Sequence, residues 1–183
     1  DLEARDASEN LLSAMGPGCK EVLGKDDVLG KINYYIQKQE FEKLKVKLAE
    51  AMEKAPDNPS VPSALGNVYM NLFQQEYKAG NRAKSDEYFA ESKKYYNKAL
   101  EIKPDMFEAV YSIGSLYYNK AAEVGAEMNA LGNTKAEWKK YDELAEKRKG
   151  HFNEALPYFK KAEKMNPNDT NTLIALKEIF ARN

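Results

Sequence analysis

Three proline-punctuated endings constrain this chain more than any other feature. Ala51-Met52-Glu53-Lys54-Ala55-Pro56-Asp57, Ala99-Leu100-Glu101-Ile102-Lys103-Pro104-Asp105 and Ala162-Glu163-Lys164-Met165-Asn166-Pro167-Asn168 share one pattern. Each has a small residue, four further positions, then proline before Asp or Asn. Proline lacks the N–H that a helix interior needs and disfavours helical geometry in the residue before it, so each ending is a helix stop and a turn. The segments after the prolines are alike too: Pro62 and Val110 stand six residues after the first two prolines, ahead of Ala64-Leu65-Gly66-Asn67-Val68-Tyr69 and Ser112-Ile113-Gly114-Ser115-Leu116-Tyr117. After Pro167 the same register gives Leu173, Leu176 and Phe180, with Lys177 replacing glycine. Apolar residues at this spacing mark an amphipathic helix. A mid-helix glycine costs about 1 kcal/mol against alanine, so its use points to close approach of a neighbouring helix.

Between these stops the chain is rich in Ala, Leu, Glu and Lys, all strong helix formers. Glycine and proline make up 17 of 183 residues, below the roughly 12% of average proteins, and the fold class reads as all-α. The 28 Lys+Arg against 29 Asp+Glu leave a net charge of −1, which lacks the basic excess of a dedicated nucleic-acid binder. No stretch approaches 18 uncharged apolar residues, so no membrane insertion is expected. No charged-then-apolar signal segment opens the sequence, and a first residue Asp1 rather than Met reads as a processed or excised chain. The single cysteine, Cys19, excludes an internal disulfide, and Cys19 with the lone His151 is too few ligands for a structural zinc.

These residues resemble the tetratricopeptide repeat (TPR) family. Its unit carries Leu-Gly-x-x-Tyr on a first helix. The second helix has an aromatic, a small residue, an aromatic, an alanine and a closing proline. Phe152, Ala155, Phe159, Ala162 and Pro167 fit that second helix; Phe89, Ser92, Tyr96, Ala99 and Pro104 fit it with Ser for Ala; Phe41, Leu44, Leu48, Ala51 and Pro56 fit less well. The run from Ile113 to Ala122, with Ala155-Leu156-Pro157-Tyr158, is similar to TPR proteins of Bacteroidetes bacteria. That likeness implies an exported, periplasmic setting, and the cytoplasm stays open.

The resemblance implies a helix-turn-helix solenoid forming a right-handed superhelix, with one departure. The prolines stand 48 and 63 residues apart, against about 34 for a standard unit. The excess reads as helix extension, because Val110, Ile113, Leu116, Tyr117, Ala121, Val124, Met128 and Leu131 keep one stripe. After a turn at Gly132-Asn133-Thr134, the stripe continues through Trp138, Tyr141, Leu144, Ala145, Phe152, Ala155, Tyr158 and Phe159. Two helices of about 25 and 31 residues, roughly 37 and 46 Å, would form an antiparallel hairpin standing out from the stack. A smaller one would turn at Ala79-Gly80-Asn81. The expected organisation is a capping helix and loop over 1–24, a degenerate unit over 25–58, an extended unit over 59–106, a long-hairpin unit over 107–169, and a last helix over 170–183 serving as cap or truncated fourth unit.

Catalytic and cofactor chemistry is not legible. Gly18 to Gly24-Lys25 and Gly24 to Gly30-Lys31 each hold one residue too many for a phosphate-binding loop, and Asp26 and Ile32 stand where it needs a hydroxyl. His151 has no recognisable acid and nucleophile to work with. No histidine stands near Cys19 to activate it. Asp26-Asp27 suit a helix start better than a metal. No cofactor is expected.

In TPR proteins, first-helix positions line a concave groove. By resemblance the groove here would hold Asp26, Leu29, Asn33, Ile36 and Gln37; Ser60, Ser63, Asn67, Met70 and Asn71; Glu108, Tyr111, Ser115, Tyr118 and Asn119; and Asn171, Ile174, Glu178 and Arg182. The basic residues with which the family clamps an acidic C-terminal tail are replaced by Leu29, Tyr111 and Ser115, so tight binding of such a tail is not expected. Paired Asn33 and Asn67 would instead hydrogen-bond an extended peptide backbone, with tyrosines offering flat contact area. The expected function is a non-catalytic scaffold binding a peptide or protein through this groove or the hairpin. The alternatives are a self-assembly module forming a homo-oligomer, or a regulatory domain of a larger complex.

Overall fold

The structure, a computed structural model, describes residues 41–182. These form six helices: α1 (Phe41–Lys54), α2 (Ser60–Lys78), α3 (Arg82–Ile102), α4 (Phe107–Asn129), α5 (Lys135–Met165) and α6 (Thr170–Arg182), with no strand among them. The expected helix over 1–24 and the opening helix of the first unit lie outside the described residues.

The three proline stops close in one geometry. Before each proline a final helical bond is made, from the N–H of Ala55 to the carbonyl of Ala51 (3.0 Å), Lys103 to Ala99 (2.9 Å) and Asn166 to Ala162 (2.8 Å). A one-turn bond then spans each proline: Asn58 N–H to Ala55, Met106 to Lys103 and Asp169 to Asn166, at 3.1, 3.1 and 3.2 Å. At the first and third stops an Asn or Asp near the turn then starts the next helix. Asn58 Oδ1 accepts from Ser60 N–H at 3.0 Å, and Asp169 Oδ2 accepts from the N–H and hydroxyl of Thr172 at 2.7 and 2.6 Å.

The chain divides into two compact units between Ala109 and Val110. In the first, α1 packs on α2, and α2 pairs with α3 across a turn at Gly80, whose φ of 84° suits glycine. Leu44, Leu48, Leu65, Val68, Phe73 and Tyr96 are buried there. The predicted close approach is present at Gly66, where a Cβ would lie 2.6 Å from the Tyr96 ring. The serine standing for alanine, Ser92, donates to the Gly66 carbonyl at 2.8 Å, so its hydroxyl is satisfied inside the core.

In the second unit α4, of 23 residues, and α5, of 31, make the long hairpin, and α5 also packs on α6. Gly114 lies under Phe159, with a Cβ position 3.3 Å from the ring. Toward the turn, Val124, Met128 and Leu144 form a small buried cluster, flanked by Leu131 and Ala145. A capping box starts α5: Thr134 Oγ1 accepts from Glu137 N–H at 3.3 Å, and the Glu137 carboxylate accepts from Thr134 N–H at 3.0 Å.

Two stretches depart from the expected stripes. Trp138 and Tyr141 are 58% and 46% exposed rather than packed. The α4 helix ends one residue beyond Met128, the partner of Leu144. Trp138, six residues or about 9 Å before Leu144, has outrun the helix that would cover it. On α6 the buried face is Thr172, Ala175, Leu176 and Ile179, while Leu173 and Phe180 are exposed. Leu176 is buried as expected, while Thr172, held at the helix start by Asp169, and Ile179 take the buried places expected of Leu173 and Phe180.

Candidate functional site

The residues expected to line a groove meet different fates. Asn33, Ile36 and Gln37 lie outside the described residues, as do Asp26, Leu29 and both glycine-lysine sites. On α2, Ser63 and Asn67 do not face solvent: they are 0% and 4% exposed. Asn67 is tied into the helix pair, because Tyr96, whose ring fills the space over Gly66, donates its hydroxyl to Asn67 Oδ1 at 2.6 Å. Burying a phenol demands such a partner. The Met70 sulfur lies 3.8 Å from the same hydroxyl, and Asn71 Nδ2 donates to the Asn67 carbonyl at 3.0 Å. The remaining atoms, Asn67 Nδ2 and Ser63 Oγ, are buried with no hydrogen-bond partner among the described residues.

On α4 the expected Glu108 is exposed, while Tyr111, Ser115, Tyr118 and Asn119 are half-buried. The two tyrosine rings are braced from beneath. Tyr111 meets Phe159 edge-on at 5.6 Å, and Tyr118 contacts Phe152 at 5.6 Å and Phe159 at 6.4 Å. Burial holds the Tyr111 phenol above its ordinary range; a hydrogen bond with Ser115 opposes this, and the nearby Asp169 carboxylate reinforces it. Tyr111, Ser115 and Tyr118 thus share one face of α4 at i, i+4 and i+7, with Asn119 beside them. On α6, Asn171 is exposed, whereas Glu178 is half-buried and paired with Arg182 at 2.8 Å.

The sequence offered the hairpin as a binding element but did not identify the surface at its turn. Met128, Leu131, Gly132, Asn133, Glu137, Trp138, Tyr141 and Asp142 line an open cleft of about 530 Å³. Trp138 Nε1 donates to Asn133 Oδ1 at 2.8 Å, which orients the indole. The Glu137 carboxylate accepts from the Thr134 hydroxyl, Thr134 N–H and Gly132 N–H, and these bonds, the hydroxyl foremost, hold it below the ordinary carboxylate range. The available signal was length: an aromatic on a return helix more than a turn beyond the last apolar residue of the outgoing one has nothing to pack on.

His151 is half-buried on α5. Among the described residues no group of three or more His, Cys, Asp or Glu side chains is placed to hold a metal, and no helix is long and apolar enough to cross a membrane.

No family model and no curated protein matches the chain. Among solved structures it is similar to a TPR repeats protein from Bacteroides fragilis NCTC 9343, at 22% identity and a TM-score of 0.49, over 84% of this chain. The chain spans 65% of the length of that protein. The repeat assignment rests on the chain's own packing, in which the glycine of one helix lies beneath the second-helix aromatic at both Gly66–Tyr96 and Gly114–Phe159, and each second helix ends in the same proline turn. That register is the one implied by the TPR resemblance of the sequence.

Proposed function

We propose that this chain is a non-catalytic protein-interaction scaffold that holds an extended segment of a partner along α4, on Tyr111, Ser115, Tyr118 and Asn119. The observation that carries the reading is the bracing of the two tyrosines by Phe159 and Phe152. A half-buried ring held in one rotamer offers contact area at small entropic cost, which is why tyrosine is frequent in binding hot spots. Spacing adds support. Seven helical residues advance about 10.5 Å, close to the roughly 9 Å of three residues in a polyproline II segment, whose three-residue turn sets side chains i and i+3 on the two rings. Ser115 and Asn119 then lie within reach of its backbone.

The test is a library of extended peptides bearing apolar residues three apart, titrated against the full chain. Tyr118→Ala should weaken binding about tenfold or more. Asn119→Arg, on the exposed side and outside the core, should do so with helicity unchanged. Binding that ignores both variants, or no binding across the library, defeats the reading.

A second reading, self-assembly, draws on the exposed Leu173, Ile174 and Phe180 of α6, which are 43%, 54% and 60% exposed. A mass that rises with concentration, and falls back to the monomer in Phe180→Lys, would favour it.

A further inference from the structure

The α4 strip leaves unexplained the cleft at the hairpin turn. Its lining combines the chain's only tryptophan, 58% exposed, with Tyr141, 46% exposed, and two carboxylates, Glu137 and Asp142; no cationic side chain is among the lining residues. The carboxylates are not equivalent. Glu137 is consumed by the turn, accepting the hydroxyl and N–H of Thr134 and the N–H of Gly132. Asp142 is exposed, and no described residue pairs with it. Of the neighbouring lysines, Lys139 reaches toward Glu143 at 4.0 Å, and the charge of Lys140 is felt at Glu137, the carboxylate already held by the turn.

We infer that the hairpin tip is a docking site for an arginine side chain presented by a partner protein, the guanidinium stacking on the Trp138 indole and pairing with the Asp142 carboxylate. Tyr141 and Asp142 follow Trp138 by three and four positions, so one helix face presents all three. A guanidinium is planar and weakly hydrated; it stacks on an aromatic face while its fork grips a carboxylate, whereas a lysine ammonium is a hydrated point charge. The indole is already held by Asn133 and the turn by its capping box, so little ordering remains to be done on binding. Anionic or purely apolar partners fit worse, since the lining offers negative charge and no counter-cation.

Because the chain has one tryptophan, the Trp138 indole Nε1–H gives a single resonance that reports this site alone. The probe is the capped tripeptide Leu-Arg-Leu, titrated to millimolar concentration against the full chain. Its counterparts carry citrulline (neutral and nearly isosteric) or lysine in place of arginine. A saturable shift is expected with arginine, with affinity about tenfold or more lower for citrulline and a smaller loss for lysine. Asp142→Asn should lose about as much as the citrulline exchange, with the turn intact by the Thr134 and Glu137 amide resonances. Asn119→Arg should leave the response unchanged, which separates this proposal from the α4 strip. Equal shifts from arginine and citrulline, or an undiminished response in Asp142→Asn, would overturn it. So would a concentration-dependent dimer, without peptide, that Trp138→Ala abolishes.

Discussion

Gly66→Ala offers a sharp test of how the first helix pair is locked. By helix propensity alone the change should stabilise α2 by about 1 kcal/mol. The new methyl, however, would sit 2.6 Å from the Tyr96 ring. Carbon atoms rest at about 3.5–4.0 Å, so the ring must retreat about 1 Å. Tyr96 is 0% exposed, and its hydroxyl is tethered to Asn67 Oδ1 at 2.6 Å. Overpacking costs about 1–3 kcal/mol. Breaking the tether leaves a buried acceptor unsatisfied, about 1–3 kcal/mol more. The net expectation is a loss of about 3 kcal/mol. Gly114→Ala is the internal control. There the neighbour is Phe159 at 3.3 Å, a ring with no polar tether that need yield only a few tenths of an ångström. Its net effect should lie within about 1 kcal/mol of zero. Urea unfolding followed by helical circular dichroism separates the two. Repeating Gly66→Ala in a Tyr96→Phe background should shrink its cost by about 1–2 kcal/mol, since no tether remains to break. A neutral or stabilising Gly66→Ala, or equal costs at both glycines, would refute the reasoning.

Gly150→Ala, with nothing within 4 Å of the added methyl, should stabilise α5 by about 0.5–1 kcal/mol, read as a raised urea midpoint. Thr134→Ala removes the capping box and should cost about 1 kcal/mol, seen as faster amide exchange over the first turn of α5. The Glu137 carboxyl titrates below its usual 4.5 because of the Thr134 hydroxyl and the Thr134 and Gly132 N–H groups. Its contribution to the hairpin turn is therefore complete above that value and is lost as pH falls through the depressed one. An indole resonance of Trp138 that is unchanged through that acid range would contradict this coupling.

The repeat was legible because its signals are local. Proline after a fixed interval, Asp or Asn beyond it, and a glycine out of place in an amphipathic helix are each read without knowing what lies across the fold. The hairpins were legible for the same reason, their stripes and turn residues agreeing with one another. What was not legible depends on pairing. Asn67 looked like a groove residue by its register, but a tyrosine rather than a phenylalanine at position 96 brings a buried hydroxyl that must find an acceptor, and Asn67 supplies it. Trp138 and Tyr141 continued a stripe by periodicity; only the shorter partner helix shows why they stay largely exposed. On α6 the expected Leu176 is buried, but Thr172 and Ile179 rather than Leu173 and Phe180 complete its inner face, a choice between adjacent positions that the sequence pattern alone does not make.

The unequal lengths of the two hairpin helices turn α5 into a lever. Trp138 stands 21 residues from Phe159 along α5, a reach of about 31 Å, and Pro157 beside the Phe159 end leaves out one helical hydrogen bond where the helix can bend. A tilt of about 5° at the Phe159 end swings the indole through about 3 Å, the difference between contact and no contact for a stacked ring. The fulcrum is where Phe159 rests on Gly114 at 3.3 Å. Side-chain volume at that seat therefore aims the tip. Substitutions there can redirect what the far end meets while leaving every residue of the tip unaltered.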